Sequence, residues 1–251
     1  MSQRIEKCNA IALRVTNYSN TSQITQFITD RFGMIGVIAK GSRNPKSKMS
    51  GVLQTLSLYE LVIYKKENSL SLLKEITEVN DNFELLDDIE KTTCAQAGAE
   101  IYLQLLLEEN DYKNFFMLLQ TYFTYLKSVK RNFIIIFWRF FLRVCSYLGF
   151  PLTFDKCRMC DSKNVDEMYG ITFKESGFIC KKCVKKFPVK ENLKCNSKTI
   201  HLLASINNIS SQINSLQLSR DTIREINSIF KIYLNYHLHK QIHLKSLEII
   251  Y

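Results

Sequence analysis

The chain has 251 residues, 46% of them hydrophobic, which is ample for one large domain or two to three small ones. Its 34 Lys and Arg against 24 Asp and Glu leave a net charge of +10, a balance that suits polyanions without singling out nucleic acid. The most apolar stretch, Phe133 to Phe150, is broken by Arg139 and Arg143 and falls short of the roughly 20 residues a membrane span needs. A buried helix is expected there.

Charge is unevenly placed. Residues 1–80 carry a net +5, residues 81–130 a net −5 and residues 131–251 a net +10, so separate surfaces are expected for polyanions and for something else. No targeting signal is expected at the N-terminus, because Met1 to Lys7 is polar. Four of the eight cysteines, Cys8, Cys94, Cys145 and Cys195, are scattered and show no disulfide framework. A reducing, cytoplasmic setting follows.

Asn9 to Val15, Gln23 to Thr29, Met34 to Ala39, Val52 to Tyr64 and Leu70 to Val79 read as strands, with Gly33 punctuating a turn. Five short strands with no helix between them predict a small antiparallel barrel over residues 1–80, and the oligonucleotide-binding (OB) barrel is the commonest closure at that size. From about residue 83 the period turns helical. Thr92 to Glu108, Tyr112 to Lys127 and Phe133 to Leu148 step their apolar residues by three and four, and the third is apolar on most faces. Ser197 to Ile206 and Ser219 to Lys240 are read as further helices, each opening on a serine suited to an N-cap. The expected fold is α+β and multidomain: a five-stranded OB-fold barrel over 1–80, then an all-α helical domain over 81–251 with a module inserted at 155–190.

That module carries the sharpest chemical signal. Cys157, Cys160, Cys180 and Cys183 form a C-x2-C-x19-C-x2-C array, the spacing of a tetrahedral zinc site. Four protein thiolates would leave no position for water or substrate, which argues for one structural Zn2+ per chain and against metal catalysis. A thiol redox motif is the competing reading, but it needs only one C-x2-C. Lys181, Lys182, Lys185 and Lys186 cluster beside the second pair, either to balance the thiolates or to meet phosphate. A second basic stretch, Lys40-Gly41-Ser42-Arg43-Asn44-Pro45-Lys46-Ser47-Lys48, reads as a loop suited to phosphate contacts or as an ordinary solvated one. Of the four histidines, His201, His237, His239 and His243, the last two stand four apart on one predicted helix, yet they lack the glutamate of a H-E-x-x-H motif and are read as solvated helix histidines. No G-x-x-x-x-G-K-[ST], G-x-S-x-G or paired catalytic carboxylates are found.

Ala12-Leu13-Arg14-Val15-Thr16-Asn17-Tyr18-Ser19, Asp30-Arg31-Phe32-Gly33 and the loop from Ala39 to Lys48 together resemble the N-terminal signature of the bacterial RecO family of recombination mediators. Tyr147-Leu148-Gly149-Phe150-Pro151 running into Cys157 resembles that family's helix-to-zinc junction. Tyr233 to Leu238 and Leu244 to Leu247 resemble its C-terminal helix. The resemblance implies a non-enzymatic, nucleoid-associated protein that binds single- and double-stranded DNA and anneals complementary strands. It further implies that the protein works with RecR, binds the acidic C-terminal tail of single-strand-binding protein and helps load RecA in the RecFOR pathway, with no membrane and no small-molecule substrate. DNA contact then falls on Lys40, Arg43, Lys46 and Lys48, with Arg14 added, and the tail on Arg139 and Arg143. The family loop is richer in arginine than this one, and not every member keeps the four cysteines. The alternatives are a zinc-containing nucleic-acid-modifying enzyme and a basic scaffold for proteins alone.

Overall fold

Alternating apolar residues in the first 80 positions become five strands: β1 (Arg4–Asn17), β2 (Gln23–Thr29), β3 (Gly33–Ala39), β4 (Leu58–Lys65) and β5 (Ser71–Asn80). The computed structural model describes residues 4–47, 49–105, 107, 111–186, 192–209 and 212–250. The five strands close into a barrel in the order β1-β2-β3-β5-β4. The expected all-antiparallel pairing needs one correction: β3 and β5 run parallel where they close the ring, at Val37↔Ser71 and Ile38↔Leu72. Inside, Ala10, Ala12, Phe27, Val37, Ala39, Leu61 and Ile63 are buried around Tyr59. The Tyr59 ring meets Phe27 edge-on at 6.2 Å, and its hydroxyl donates to the Val52 carbonyl at 2.6 Å. A buried phenol needs such an acceptor.

Two strand expectations change. The stretch Val52 to Tyr64 does not run as one strand, because Leu56 takes φ 73° and its N–H donates to Ala12 O at 2.7 Å, so β4 begins only at Leu58. β1 is longer than expected and carries a bulge between Ala12 and Arg14. The extra residue, Leu13, shifts the phase of alternation. Ala10 and Ala12 point inwards before it, Val15 packs against the core after it, and Arg14 is turned out to solvent.

Residue contacts divide the chain into two units. The first runs to Lys127 and takes in Leu244–Ser246; the second begins at Ser128, runs to His243 and resumes at Leu247. In the first, the barrel is followed by α1 (Ile89–Tyr102) and α2 (Tyr112–Ser128). Asp88 caps α1 by accepting from the N–H groups of Glu90 and Lys91 at 2.8 and 3.0 Å. α1 stops at Tyr102, short of the expected Glu108, which lies outside the described residues together with Glu109. Tyr102 and Tyr122 fix the pair, their hydroxyls donating to the carbonyls of Phe115 and Cys94 at 2.8 and 2.6 Å. Gly33 (φ +62°) has to be glycine twice over: for its left-handed backbone, and because a Cβ would run into the Tyr112 ring.

The second unit is not all-α. α3 (Phe133–Tyr147) leads into a four-stranded sheet of β6 (Thr153–Cys157), β7 (Met168–Thr172), β8 (Gly177–Cys180) and β9 (Asn192–Lys194), in the order β6-β8-β7-β9. α4 (Ser197–Ser205), α5 (Arg220–Leu238) and the short α6 (Leu247–Ile250) follow. Strands of three to five residues are too brief to print a period, and so the sequence hid them. α3 is buried as expected. Trp138 Nε1 donates to Asn227 Oδ1 at 2.8 Å, and Phe141 stacks on Phe230 at 4.5 Å between ring centroids. Of the two serine caps, Ser219 accepts from Thr222 N at 3.2 Å, whereas Ser197 already lies inside α4. Asn196 takes the cap position there, and its own N–H and side-chain amide donate to Glu225. Among the described residues no helix is long and apolar enough to cross a membrane.

Candidate nucleic-acid interface and metal centre

The bulge in β1 sets up the surface of the barrel. Strand register places Arg14 opposite Gln26, and Gln26 opposite Gly36, so one row crosses β1, β2 and β3. Thr16, Ile24 and Ile38 form the next row. Of these rows, Arg14, Gln26, Gly36, Thr16 and Ile24 floor a shallow groove of about 280 Å³, walled by Tyr18 and by Leu70. Gly36 makes the room: a Cβ there would collide with the tip of Leu70. Tyr18, just beyond the end of β1, is 63% exposed. The groove therefore offers an apolar wall, a ring face, an amide and a guanidinium within one concavity near the small end of the ~300–1,000 Å³ typical of ligand clefts.

The basic loop after β3 is tied to the same end of the barrel. The Arg43 N–H donates to Thr21 O at 3.0 Å, and its Nη1 donates to Ser19 O at 2.7 Å, which anchors the loop on the β1–β2 turn next to Tyr18. Ser42, buried, donates to Ala39 O at 3.1 Å, and Lys46 N to Asn44 Oδ1 at 3.1 Å. The loop is thus a series of hydrogen-bonded turns and not a slack tether. Lys40, Arg43 and Lys46 are exposed. Of the five residues expected to meet DNA, Arg14 lines the groove, Arg43 is bonded to the β1–β2 turn, Lys40 and Lys46 flank Arg43 in sequence, and Lys48 lies outside the described residues. Tyr18 and Gln26 were not singled out by the sequence as site residues. The signal for them, an exposed aromatic two positions beyond an outward-facing alternation, becomes readable only once the bulge is known.

In the second unit the four cysteines meet. The sulfurs of Cys157, Cys160, Cys180 and Cys183 all lie within 4.8 Å of one another. Cys157 ends β6 and Cys180 ends β8, so the sheet itself delivers one thiol of each pair. The first turn closes through Asp161 N to Cys157 O at 3.0 Å, with Asp161 at φ 57°, and the chain leaving the second pair turns through Lys186 N to Cys183 O at 3.0 Å. A tetrahedral ion with bonds of about 2.3 Å would hold its sulfurs about 3.8 Å apart. Cys160 and Cys180 stand at 3.8 Å, and Cys180 N donates to Cys157 Sγ at 3.4 Å, so donor type, number and spacing all fit a cation.

The thiols are poised unequally. Burial opposes ionisation of Cys157, but the N–H groups of Met159, Cys180 and Cys160 outweigh it and bring that thiol down to about 7. Cys183 is pushed up to about 12, by burial first and then by hydrogen bonds with Cys160 and Cys180. A cation among them would relieve the repulsion that ionising all four entails. By contrast, burial drives Cys8 and Cys195 to about 12, so those two are small core residues. Of the lysines beside the second pair, Lys181 donates to Asp166 O at 2.8 Å, while Lys182, Lys185 and Lys186 are exposed.

The remaining nominees separate. Arg139 is half-buried and its Nε donates to Ile206 O at 2.7 Å, whereas Arg143 is exposed. The two do not present one uncommitted pair of cations. The expected histidine pair does not share a helix: α5 ends at Leu238, and His239 turns left-handed at φ 52°. His237, inside α5, stacks its ring on Phe150 at 4.6 Å.

Comparison with known proteins matches both halves of the chain. The family model "Recombination protein O N terminal" covers residues 1–81, and "Recombination protein O C terminal" covers residues 86–248. A DNA repair protein RecO from Prosthecochloris aestuarii is 31% identical over 152 residues, 60% of this chain and 58% of the relative, so the match spans less than two thirds of that protein. Proteins of the same name from Halalkalibacterium halodurans and Bacillus subtilis are each 24% identical over 242 residues, 96% of this chain and 92% of each relative.

Proposed function

The chain belongs to the recombination protein O family, and from that premise we propose that it is a DNA-binding and strand-annealing mediator of recombinational repair. Its role would be to help load RecA on single strands coated with single-strand-binding protein, together with RecR. The observation that carries this reading is the groove across β1, β2 and β3, with Tyr18 at its wall and a cationic loop pinned beside it.

The chemistry follows from that surface. Lys40, Arg43, Lys46 and Lys48, with Arg14, neutralise phosphates and release counterions, so affinity falls steeply with salt. Tyr18 gives an unstacked base a ring to lie on, a contact worth about 1–3 kcal/mol and blind to sequence. Holding bases away from their neighbours while cancelling backbone charge lets complementary strands meet. Binding energy drives the process, with no nucleotide consumed and no bond of the DNA broken. We read the barrel as an OB fold and the four-cysteine centre as a structural Zn2+ site, in which Cys157, Cys160, Cys180 and Cys183 hold the ion and the ion ties β6 to β8. We assign the acidic tail of single-strand-binding protein to Arg139 and Arg143, with Arg143 the more available of the two. The setting is cytoplasmic and nucleoid-associated.

The test is annealing of complementary oligonucleotides, each coated with single-strand-binding protein, with no nucleotide added. Conversion to duplex with the DNA recovered intact is the expected result. Recovery of cleaved or base-modified strands would move the chain to the enzymes, and a Tyr18→Ala variant that annealed as fast as the parent would remove the groove from the account.

A further inference from the structure

The DNA-binding reading leaves unexplained a strip of opposite character in the first unit. Residues 75–90 hold seven acids and no Lys or Arg, in a chain of net charge +10. Within the same strip Val79, Phe83, Leu86 and Ile89 are between 44% and 71% exposed. Three of them recur every third residue, at 83, 86 and 89, interleaved with Glu84, Asp87, Asp88 and Glu90.

The strip is built, not slack. Asn82 Nδ2 donates to Leu56 O at 2.8 Å, Ser57 Oγ to Asp81 O at 2.9 Å, Thr92 Oγ1 to Leu85 O at 2.9 Å, and Lys91 Nζ to Glu84 O at 2.9 Å. Leu85 is buried as its anchor. The adjoining strand is open as well: β5 pairs with β3 only at Ser71 and Leu72, and from Leu73 to Asn80 it pairs in the sheet with β4 alone. Asymmetric exposure of large apolar side chains on a fixed backbone marks an interaction surface, and an open strand edge receives extended chain.

Charge decides the occupant. Nucleic acid and anionic lipid are repelled by seven carboxylates, and a small cation has no use for Phe83 or Ile89. We propose that this strip, from the second half of β5 to the start of α1, docks a basic, apolar-punctuated extended segment of a protein partner. Apolar side chains of that segment sit on Val79, Phe83, Leu86 and Ile89, while its Lys or Arg residues face Glu78, Glu84 and Glu90. Asp87 and Asp88 are already engaged, by Lys91 at 2.7 Å and by the α1 cap, and contribute field more than contact.

The probe is a fluorescein-labelled 12-residue peptide of alternating Lys and Leu, titrated against the full chain by anisotropy. Saturable binding is expected, weakened at least tenfold by Phe83→Ser/Leu86→Ser/Ile89→Ser and, separately, by Glu84→Lys/Glu90→Lys, with a 30-mer single strand failing to displace it. Both sets change exposed positions. Each variant's melting curve and affinity for the 30-mer are measured alongside, so a failure of this surface stays distinct from a failure of the DNA reading. Equal binding by the parent and both variants overturns the proposal, as does displacement of the peptide by the 30-mer. Sedimentation in which the parent dimerises and Ile89→Ser does not would assign the strip to a second copy of this chain and overturn it too.

Discussion

The barrel and the cysteine module both hold short strands in place, but by different means. In the barrel, strands of 7 to 14 residues wrap a continuous apolar interior in which Phe27 and Tyr59 have no exposed surface. In the module, strands of three to five residues enclose a smaller cluster around Phe154 and Phe178, whose rings lie 5.1 Å apart, and the thiols gather at its end. A closed ring of long strands is held by burial. Short strands with little to bury need a further tie, and four converging thiols are suited to provide one.

That contrast can be broken at either end. On the proposed zinc reading, chelation or Cys180→Ser is expected to bring metal content towards zero and to speed amide exchange in β6, β7, β8 and β9, because a structural zinc supplies about 10–16 kcal/mol of apparent binding energy. Barrel amides should keep their protection. Retention of one metal per chain in the Ser variant would remove Cys180 from the ligand set. Phe27→Ala should do the reverse, lowering stability by about 3–5 kcal/mol in urea while the metal stays bound. A Lys40→Gln/Arg43→Gln/Lys46→Gln variant should leave melting nearly unchanged but flatten the salt dependence of single-strand binding, by about 0.7 in logarithmic slope for each phosphate no longer neutralised. An unchanged slope would take the loop out of the DNA interface.

The smallest expected effect belongs to His237. Burial lowers its pKa from the ordinary 6.5, the charge of His239 adds to that, and the carbonyl of Phe173 opposes it. The folded state thus favours the neutral ring. Its contribution is present above pH 6.5 and is lost as pH falls below that value. Urea midpoints measured at about pH 7.5 and about pH 5.5 should differ less in His237→Phe, which keeps a ring on Phe150 but cannot take a proton.

Legibility in the sequence followed the length of the pattern. α3 and α5 were readable because their apolar faces persist over 15 and 19 residues, and the ligand set because C-x2-C spacing is a local geometric demand. What escaped was decided by single residues or by distant partners. Leu13 as a bulge and Leu56 at positive φ are conformations that Leu seldom advertises, and His239 ending its helix at positive φ carries no glycine to announce it. The groove depends on three strands brought into register, and no single strand's length of sequence contains Arg14, Gln26 and Gly36 together. The acidic middle of the chain was visible from charge alone. That its apolar residues stay uncovered was not.

Ser246 closes a bond pattern begun far upstream, its N–H and hydroxyl donating to the Glu100 carboxylate at 3.2 and 3.0 Å, while Leu244 is buried in the same unit. The ribosome makes α1 well before it makes residues 244–246. The first unit can therefore gain its strands and helices during synthesis, yet Glu100 must wait, solvated, until nearly 150 further residues have emerged. Order of manufacture and order of completion are reversed here, and a fragment ending at Lys127 would carry a carboxylate prepared for a serine it never meets.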